Sequence, residues 1–337
     1  MNIVLFGYGK MGKNIYRILK NNKNVQNVFV VDPAFTDQKI VPLQFRSFQD
    51  IPSDIKLDAA FVASNSVTHC DVLQQVLARG ITNIFCEKPM CLTKKEYQTV
   101  SNILPSNARF VVDYILRSSQ ALAAFQNHMQ TLKSQGYQLK SCNIDYGKDK
   151  TKDPRRFKDI GVYEELYHIW DLCFNGPLFG PIEDIRVLRN IYVPDPEIPG
   201  RCIQQRFKYQ LKTPQNHPFI VNLNSSFRKD KLVRCFTCCL KKDDDQKVLS
   251  LSFDDQGEDR CMLIHSNLEE QTQSFPSNTK LDTIINDSLT YFKTGKKSPY
   301  FHGALDSEKF HNLMTQLKQV APLHRELIQK RIQEMTH

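Results

Sequence analysis

Gly7-Tyr8-Gly9-Lys10-Met11-Gly12 follows an apolar run at residues 3–6 and opens a stretch in which Met11, Ile15, Ile18 and Leu19 recur at helical spacing. Glycine at such a turn lets backbone N–H groups approach a pyrophosphate, and the helix N-terminus beginning at Lys10 and Met11 stabilises its charge. Asp32 ends the next apolar run, 20 residues after Gly12. A carboxylate there accepts hydrogen bonds from a ribose diol and repels a 2′-phosphate. This combination points to a bound dinucleotide, NAD(H) in preference to NADP(H). The plain alternative is a tight strand-to-helix turn with a solvated Asp32. Glu87-Lys88-Pro89 directly follows another such run, at 84–86, and a lysine at the carboxyl end of a parallel strand faces the crevice where ligands bind. The small polar turn Ala63-Ser64-Asn65-Ser66-Val67-Thr68-His69 brings Ser64, Asn65 and His69 to the same edge, and Arg117 leaves the strand at 109–114 there as a candidate substrate contact.

These side chains need a sheet to carry them, and the first 118 residues supply its pattern. Apolar runs at 3–6, 28–31, 59–63, 84–86 and 109–114 alternate with helical stretches at 11–19, 70–78 and 94–104, which implies βαβ units and a parallel sheet. The rest reads differently: helices at 119–135, 161–174, 281–294 and 307–335, an extended stretch at 139–146, and strands at 205–211, 219–227, 233–241, 247–253 and 260–266 whose short polar turns suggest an antiparallel meander. The predicted fold is α/β: a doubly wound Rossmann domain with a parallel sheet over 1–118, followed at 119–337 by an α+β domain with an open, mostly antiparallel sheet for substrate binding and oligomerisation. An open sheet has a face to bury, so pairing of identical subunits through it is expected.

Composition narrows the class. The 337 residues are 41% hydrophobic and 24% charged, ordinary for a folded soluble protein. Net charge is +9, but +5 of it lies in residues 1–118 and +4 in the remainder, so the basic excess is not concentrated and nucleic acid is not an expected partner. No stretch approaches the ~20 apolar residues that cross a bilayer, and the N-terminus has no basic segment ahead of its apolar run. Ten cysteines without an export signal read as reduced thiols in the cytoplasm. Cys235, Cys238 and Cys239 lie in an apolar, strand-like stretch without the four ligands of a structural zinc site, so they read as packing thiols and no metal is expected.

The glycine fingerprint, the polar turn ending at His69 and above all Cys86-Glu87-Lys88-Pro89-Met90 resemble the glucose-fructose oxidoreductase and inositol dehydrogenase family (Gfo/Idh/MocA), clearly over 1 to about 118 and more weakly beyond. The resemblance implies a second motif, an acidic residue four before a histidine with an aspartate three after it. Glu164, His168 and Asp171 match that spacing, which places them on one helical face. A histidine among aromatic residues is, without the N-terminal motifs, as well read as a packed core side chain. The chain departs from the family where Tyr163 and Leu166 replace smaller residues and Glu164 replaces aspartate, which reshapes the pocket.

What the resemblance implies is reversible hydride transfer between nicotinamide C4 and a secondary alcohol or ketone carbon of a sugar, sugar derivative or cyclitol. His168 would take the hydroxyl proton and Lys88 stabilise the charge on the oxygen, with Glu164 orienting the imidazole or holding a second hydroxyl. Glu87 joins the cofactor contacts; Tyr163 and Asp171, with Arg117, make up the substrate contacts. The loop at 148–158 has six basic residues and is read either as a grip on an anionic substrate or, favoured by the interspersed Asp149 and Asp153, as a solvated loop. Two rival readings are a reductase of a non-sugar carbonyl or imine intermediate, and a non-catalytic dinucleotide-binding regulator of the same fold. Lys88 and His168 speak against the regulator, which needs no proton-transfer pair.

Overall fold

The computed structural model describes residues 1–151, 161–198, 201–215, 217–254, 257–298 and 301; the side chains of Tyr163 and Glu164 lie outside that set. The chain divides into two units, one built on Met1–Ile115 and the stretch from Leu281, the other on Leu116–Lys280.

In the first unit, β1 (Asn2–Phe6), β2 (Asn27–Val31), β3 (Gln44–Phe45), β4 (Ala59–Val62), β5 (Asn83–Glu87) and β6 (Arg109–Asp113) pair in parallel in the order β3-β2-β1-β4-β5-β6. Their near-continuous apolar composition suits a sheet covered on both faces. On one face, Ile3, Leu5, Val30, Phe61, Phe85 and Val111 pack against Ile15, Ile18 and Leu19 of α1 (Lys10–Lys20). The alternate residues Val4, Ala60, Val62, Ile84, Cys86 and Val112 are equally buried on the other side of the pleat. Helices α2 (His69–Ala78) and α3 (Lys94–Ile103) pack against each other, α2 also against β4, and Thr93 opens α3 with a reciprocal Thr93–Glu96 capping box. The order reverses between β1 and β4, so the loops leaving those two strands flank the crevice where ligands of such sheets bind.

The layer beside α1 is completed from the far end of the chain. Helix α6 (Lys280–Thr294) contributes Ile284, Ile285, Leu289 and Phe292 to the first core, and Phe61 and Phe292 meet edge to face with ring centroids 6.2 Å apart. The sequence pattern assigns this helix to the second domain and the boundary to 118/119; the structure places α6 on the first unit and the break at 115/116. The reason is general: an apolar stripe states that a helix is covered, not by which sheet. The helix expected at 307–335 lies outside the described residues.

The second unit carries an eight-stranded sheet in the order β14-β13-β12-β11-β7-β10-β9-β8, formed by β7 (Gln138–Asp149), β8 (Asp184–Pro194), β9 (Cys202–Lys212), β10 (Pro218–Ser226), β11 (Arg228–Lys242), β12 (Asp245–Ser252), β13 (Glu258–Ile264) and β14 (Glu270–Pro276). Here the expected single meander is corrected. β8-β9-β10 and β11-β12-β13-β14 are two antiparallel runs, and β7 inserts between them, antiparallel to β11 and parallel to β10. β8 and β14 carry weak alternation and escape the sequence pattern; both are edge strands, β14 exposed almost throughout and β8 without a fully buried residue. One face is apolar and holds two helices: α4 (Gln120–Ser134) packs on β12, β13 and β14, and α5 (Tyr163–Phe174) lays Trp170 against Phe207 and Phe174 against Tyr209. The other face is polar, with Asn143 bonded to Asn222 and Asn224 to Asp145, and it lines a concavity of about 630 Å³ that also presents Arg189, Arg206 and Lys208.

Candidate functional site

The glycine turn after β1 has three distinct tasks. Gly7, at φ +88°, bends the chain while its N–H donates to the Val31 carbonyl at 2.8 Å, and a Cβ there would lie 2.6 Å from the Ala63 oxygen. A Cβ on Gly12 would lie 2.0 Å from the Gly7 oxygen, so that glycine permits the helix to cross close to its own turn. A Cβ on Gly9 would meet nothing within 4 Å. Fold packing thus explains the first and third glycines and leaves the middle one to a ligand approaching the backbone, the position at which a dinucleotide pyrophosphate is cradled. Gly9 is also the N-cap of α1, which has no side-chain cap and no acidic residue in its first turn, so the N–H groups around Lys10 and Met11 remain available to an anion. These residues fit NAD(P).

Asp32, at the end of β2, is held by two backbone donors: Tyr8 N–H to Oδ2 at 2.6 Å and Ala34 N–H to Oδ1 at 2.9 Å. The carboxylate is aimed across the glycine turn, with lone pairs left for ribose hydroxyls. Arg46, which the sequence pattern passes over, belongs to the same edge; its Nε donates to the Phe35 carbonyl and its Nη2 meets Asp37 at 2.9 Å.

After β4, Asn65 accepts from Val67 N–H at 3.2 Å and caps a one-turn helix, and the Ser64 and Thr68 hydroxyls lie 2.8 Å apart. His69, only 1% exposed, has Nδ1 2.8 Å from the Pro89 carbonyl and Nε2 3.1 Å from the Ser64 carbonyl. Expected as a cofactor contact, its ring is instead buried as a strut between the 63–68 turn and the Lys88-Pro89 turn. Burial lowers its pKa, so the ring is held neutral and donates from one nitrogen.

Lys88 leaves β5 half-buried, beside Glu87, which is buried. In parallel register Glu87 stands next to Asp113 at the end of β6, a residue the sequence pattern gives no task. The available signal was an acidic residue closing an apolar strand at the ligand edge. Burial first, and then Asp113, push the Glu87 carboxyl well up, and burial pushes Asp113 up to about 6.

In the second unit, α5 carries the histidine motif. His168 is 8% exposed and Asp171, one turn on, is 1% exposed. Arg117 and Asp171, both expected against substrate, are each other's partners: Nε to Oδ2 at 2.7 Å and Nη2 to Oδ1 at 2.8 Å, with Asn175 donating to Oδ1 at 3.0 Å. A bidentate pair buried to this degree anchors α5 to the chain leaving β6. The neighbouring Glu165 is buried as well and takes Lys148 at 2.6 Å and Lys150 at 3.6 Å, so two lysines of the basic segment are drawn to α5. Residues 152–158 of that segment lie outside the described set, as do the side chains of Tyr163 and Glu164. Among the described residues no group of three or more His, Cys, Asp or Glu is arranged to hold a metal, and no helix is long and apolar enough to cross a membrane. All ten cysteines are free thiols.

Comparison with known proteins agrees with this picture. Residues 1–114 match the Gfo/Idh/MocA family model, an oxidoreductase family with an NAD-binding Rossmann fold. Over nearly the whole chain the fold is similar to that of biliverdin reductase from Synechocystis sp. PCC 6803, solved with biliverdin and NADP+ (TM-score 0.71, 14% identity, 95% of this chain and 98% of that one). It is also similar to UDP-N-acetylglucosamine 3-dehydrogenase GnnA from Acidithiobacillus ferrooxidans (TM-score 0.70, 15% identity, 97% and 99%). A third is the 3-ketoreductase KijD10 from Actinomadura kijaniata, solved with NADP and TDP-benzene (TM-score 0.72, 11% identity, 95% and 97%). No curated protein matches the sequence.

Proposed function

Taking as premise that residues 1–114 are the NAD(P)-binding domain of a Gfo/Idh/MocA oxidoreductase, we propose that this enzyme transfers a hydride between nicotinamide and a hydroxyl or keto carbon of a sugar, sugar derivative or cyclitol. The observation that carries the reading is Lys88 at the carboxyl end of β5, on the sheet edge that also holds the open Gly9 turn and Asp32. When bound, the cofactor supplies the hydride-accepting and hydride-donating carbon. Gly7, Gly9 and Gly12 shape its cradle, the N–H groups of Lys10 and Met11 meet its phosphates, and Asp32 accepts from its ribose. The Ser64-Asn65 turn and Glu87 border the same edge.

Lys88 donates a hydrogen bond to the reacting oxygen and stabilises negative charge developing on it. His168 exchanges the hydroxyl proton, as an imidazole does near neutral pH. Glu164 and Tyr163 complete the substrate contacts, while Arg117 and Asp171 hold the helix that carries His168. Asp32 favours NAD(H), and Arg46, whose charge is already met by Asp37, does not offset it for a 2′-phosphate. The lysine-rich segment from Lys148 suits a substrate bearing an anionic group, free thiols suit a reducing compartment, and the polar open sheet face is the surface for subunit pairing.

Calorimetry with NADH and NADPH, followed by an absorbance screen over sugars, inositols and phosphorylated or nucleotide-linked sugars, tests the reading. Tight NADH binding with turnover on one of these classes is expected. Binding without any turnover points to the regulator, turnover only on other carbonyls or imines to the non-sugar reductase, and failure to bind either cofactor removes the premise.

A further inference from the structure

Where α4 ends and β7 begins, the second unit holds a cavity of about 490 Å³, closed by the turn after α5 and by the hairpin between β9 and β10. Phe179 and Phe219 form its apolar wall; both are buried, and their rings meet edge to face with centroids 5.0 Å apart. Leu139 and Pro181 extend that wall. Tyr137 lines it as well, with its hydroxyl given to Asp245, which is also paired with Lys247 at 3.4 Å.

Lys133 is the one lysine or arginine in the lining, and no Asp or Glu lines it. Its Nζ donates to the Phe179 carbonyl at 2.9 Å, which fixes the ammonium beside the aromatic pair. An ammonium has three N–H donors, so two remain. Among the described residues no carboxylate pairs with it, and burial lowers its pKa. A lysine in the last turn of a helix often serves the terminal carbonyls. Here those of α4 are met by the backbone: Gln135 N–H donates to Thr131 O at 3.1 Å, Tyr137 N–H to Leu132 O at 3.0 Å and Gly136 N–H to Lys133 O at 3.0 Å.

The cavity shares no residue with the candidate site. Lys148 and Lys150, which reach Glu165 on α5, stand at the other end of β7, about 30 Å along the strand. Its chemistry differs too. Phenylalanine rings suit a flat apolar ring and leave the hydroxyls of a polyol without partners, and a single ammonium matches one carboxylate.

We propose that this cavity is a second ligand site, for a small aromatic carboxylate whose ring lies against Phe179 and Phe219 and whose carboxylate accepts from Lys133. The site does not depend on the reaction proposed above.

Titration of the full-length, ¹⁵N-labelled chain with 4-fluorobenzoate, with and without NADH, tests it. The fluorine resonance should broaden and the Gly136 and Gly180 amides should shift, saturating at millimolar ligand whether or not NADH is present. 4-Fluorobenzamide, of the same shape but uncharged, should bind at least about tenfold more weakly, the loss of one charge-assisted hydrogen bond. Lys133→Gln, which removes the charge and keeps a donor, should lose affinity for the carboxylate by the same factor and no longer separate the two ligands. Four results overturn the proposal: no saturable shift at Gly136 and Gly180, shifts that NADH abolishes, equal affinity for carboxylate and amide, or a Lys133→Gln affinity within about twofold of wild type. If Lys133→Gln does not fold, the comparison of the two ligands on the wild type decides alone. Failure to bind NADH counts against the proposed function and leaves the fluorobenzoate shifts in place.

Discussion

The two units hold their candidate residues in opposite ways. In the first, the stabilising core and the chemical edge are separate: β1, β4 and β5 are buried by Ile, Val, Leu, Phe and Ala, while Gly9, Lys88 and Asn65 lie on turns past the strand ends. In the second, candidate residues are part of the core: His168 and Asp171 are on the buried helix α5, and Asp171 is locked to Arg117. Parallel sheets covered on both faces leave only their carboxyl ends for ligands, whereas a sheet with one helix-covered face draws polar groups from the covering helix into the interior, where each needs a partner. Substitution of Gly9 or Lys88 should therefore cost function with little loss of stability, whereas loss of Arg117 or Asp171 should cost stability.

The largest expected effect falls on the buried pair. Arg117→Met leaves the buried Asp171 carboxyl without its bidentate partner and should destabilise the second unit by about 3–5 kcal/mol in chemical denaturation. A loss under about 1 kcal/mol would mean the pair is not structural and would return Arg117 to the substrate contacts. Lys88→Ala should lower turnover about a hundredfold or more with little change in the unfolding midpoint; retained activity would remove Lys88 from the mechanism. The glycine turn offers the contrast inside one unit. Gly12→Ala overpacks against the Gly7 carbonyl and should cost about 1–3 kcal/mol. Gly9→Ala should leave stability within about 0.5 kcal/mol and weaken NADH binding; equal stability losses would erase the distinction drawn between the two.

A smaller effect should appear with pH. Asp113 has its folded-state pKa raised to about 6 and Glu87 is raised well above the usual carboxylate range. Carboxyls raised on folding bind protons more tightly in the native state, so their contribution is fully present below the unfolded pKa of about 4 and is lost as pH rises through about 6 and beyond. Asp113→Asn should then gain stability relative to wild type by about 1–3 kcal/mol between pH 4 and 8. His69 contributes with the opposite sign and is common to both proteins, so it drops out of the difference. A difference that does not change with pH would argue against the pair. At the low end, Arg46→Ala breaks an exposed ion pair and one hydrogen bond to the Phe35 carbonyl and should change stability by about 1 kcal/mol or less, with the ratio of NADH to NADPH affinity unchanged.

Much of the first unit could be read directly. Short apolar runs alternating with helical stripes give its parallel strands, and the glycine spacing with Asp32 gives its cofactor edge, because a φ of +88° at Gly7 and the absence of a Cβ at Gly12 are local demands on residue type. Gln44–Phe45 of β3 is too short to show a period. His69 and Asp171 were legible as chemically capable residues, but their tasks were not: one ring sits between two carbonyls and one carboxylate faces a guanidinium 54 residues away, relations that no spacing records.

By itself, then, the sequence determines what depends on neighbours along the chain: the periods of the strands and helices, the turn that only glycine can make, and the supply of acids and bases at strand ends. Tertiary structure decides what depends on complementarity between distant segments. It inserts β7 between two meanders, brings α6 back across the chain to cover the first sheet, closes Arg117 on Asp171, and buries Glu87 beside Asp113 at neighbouring strand ends. Each of these choices turns on which of several chemically similar faces or charges meet, and burial makes the meeting decisive because an unmatched apolar face or buried charge costs more than local propensity can offset.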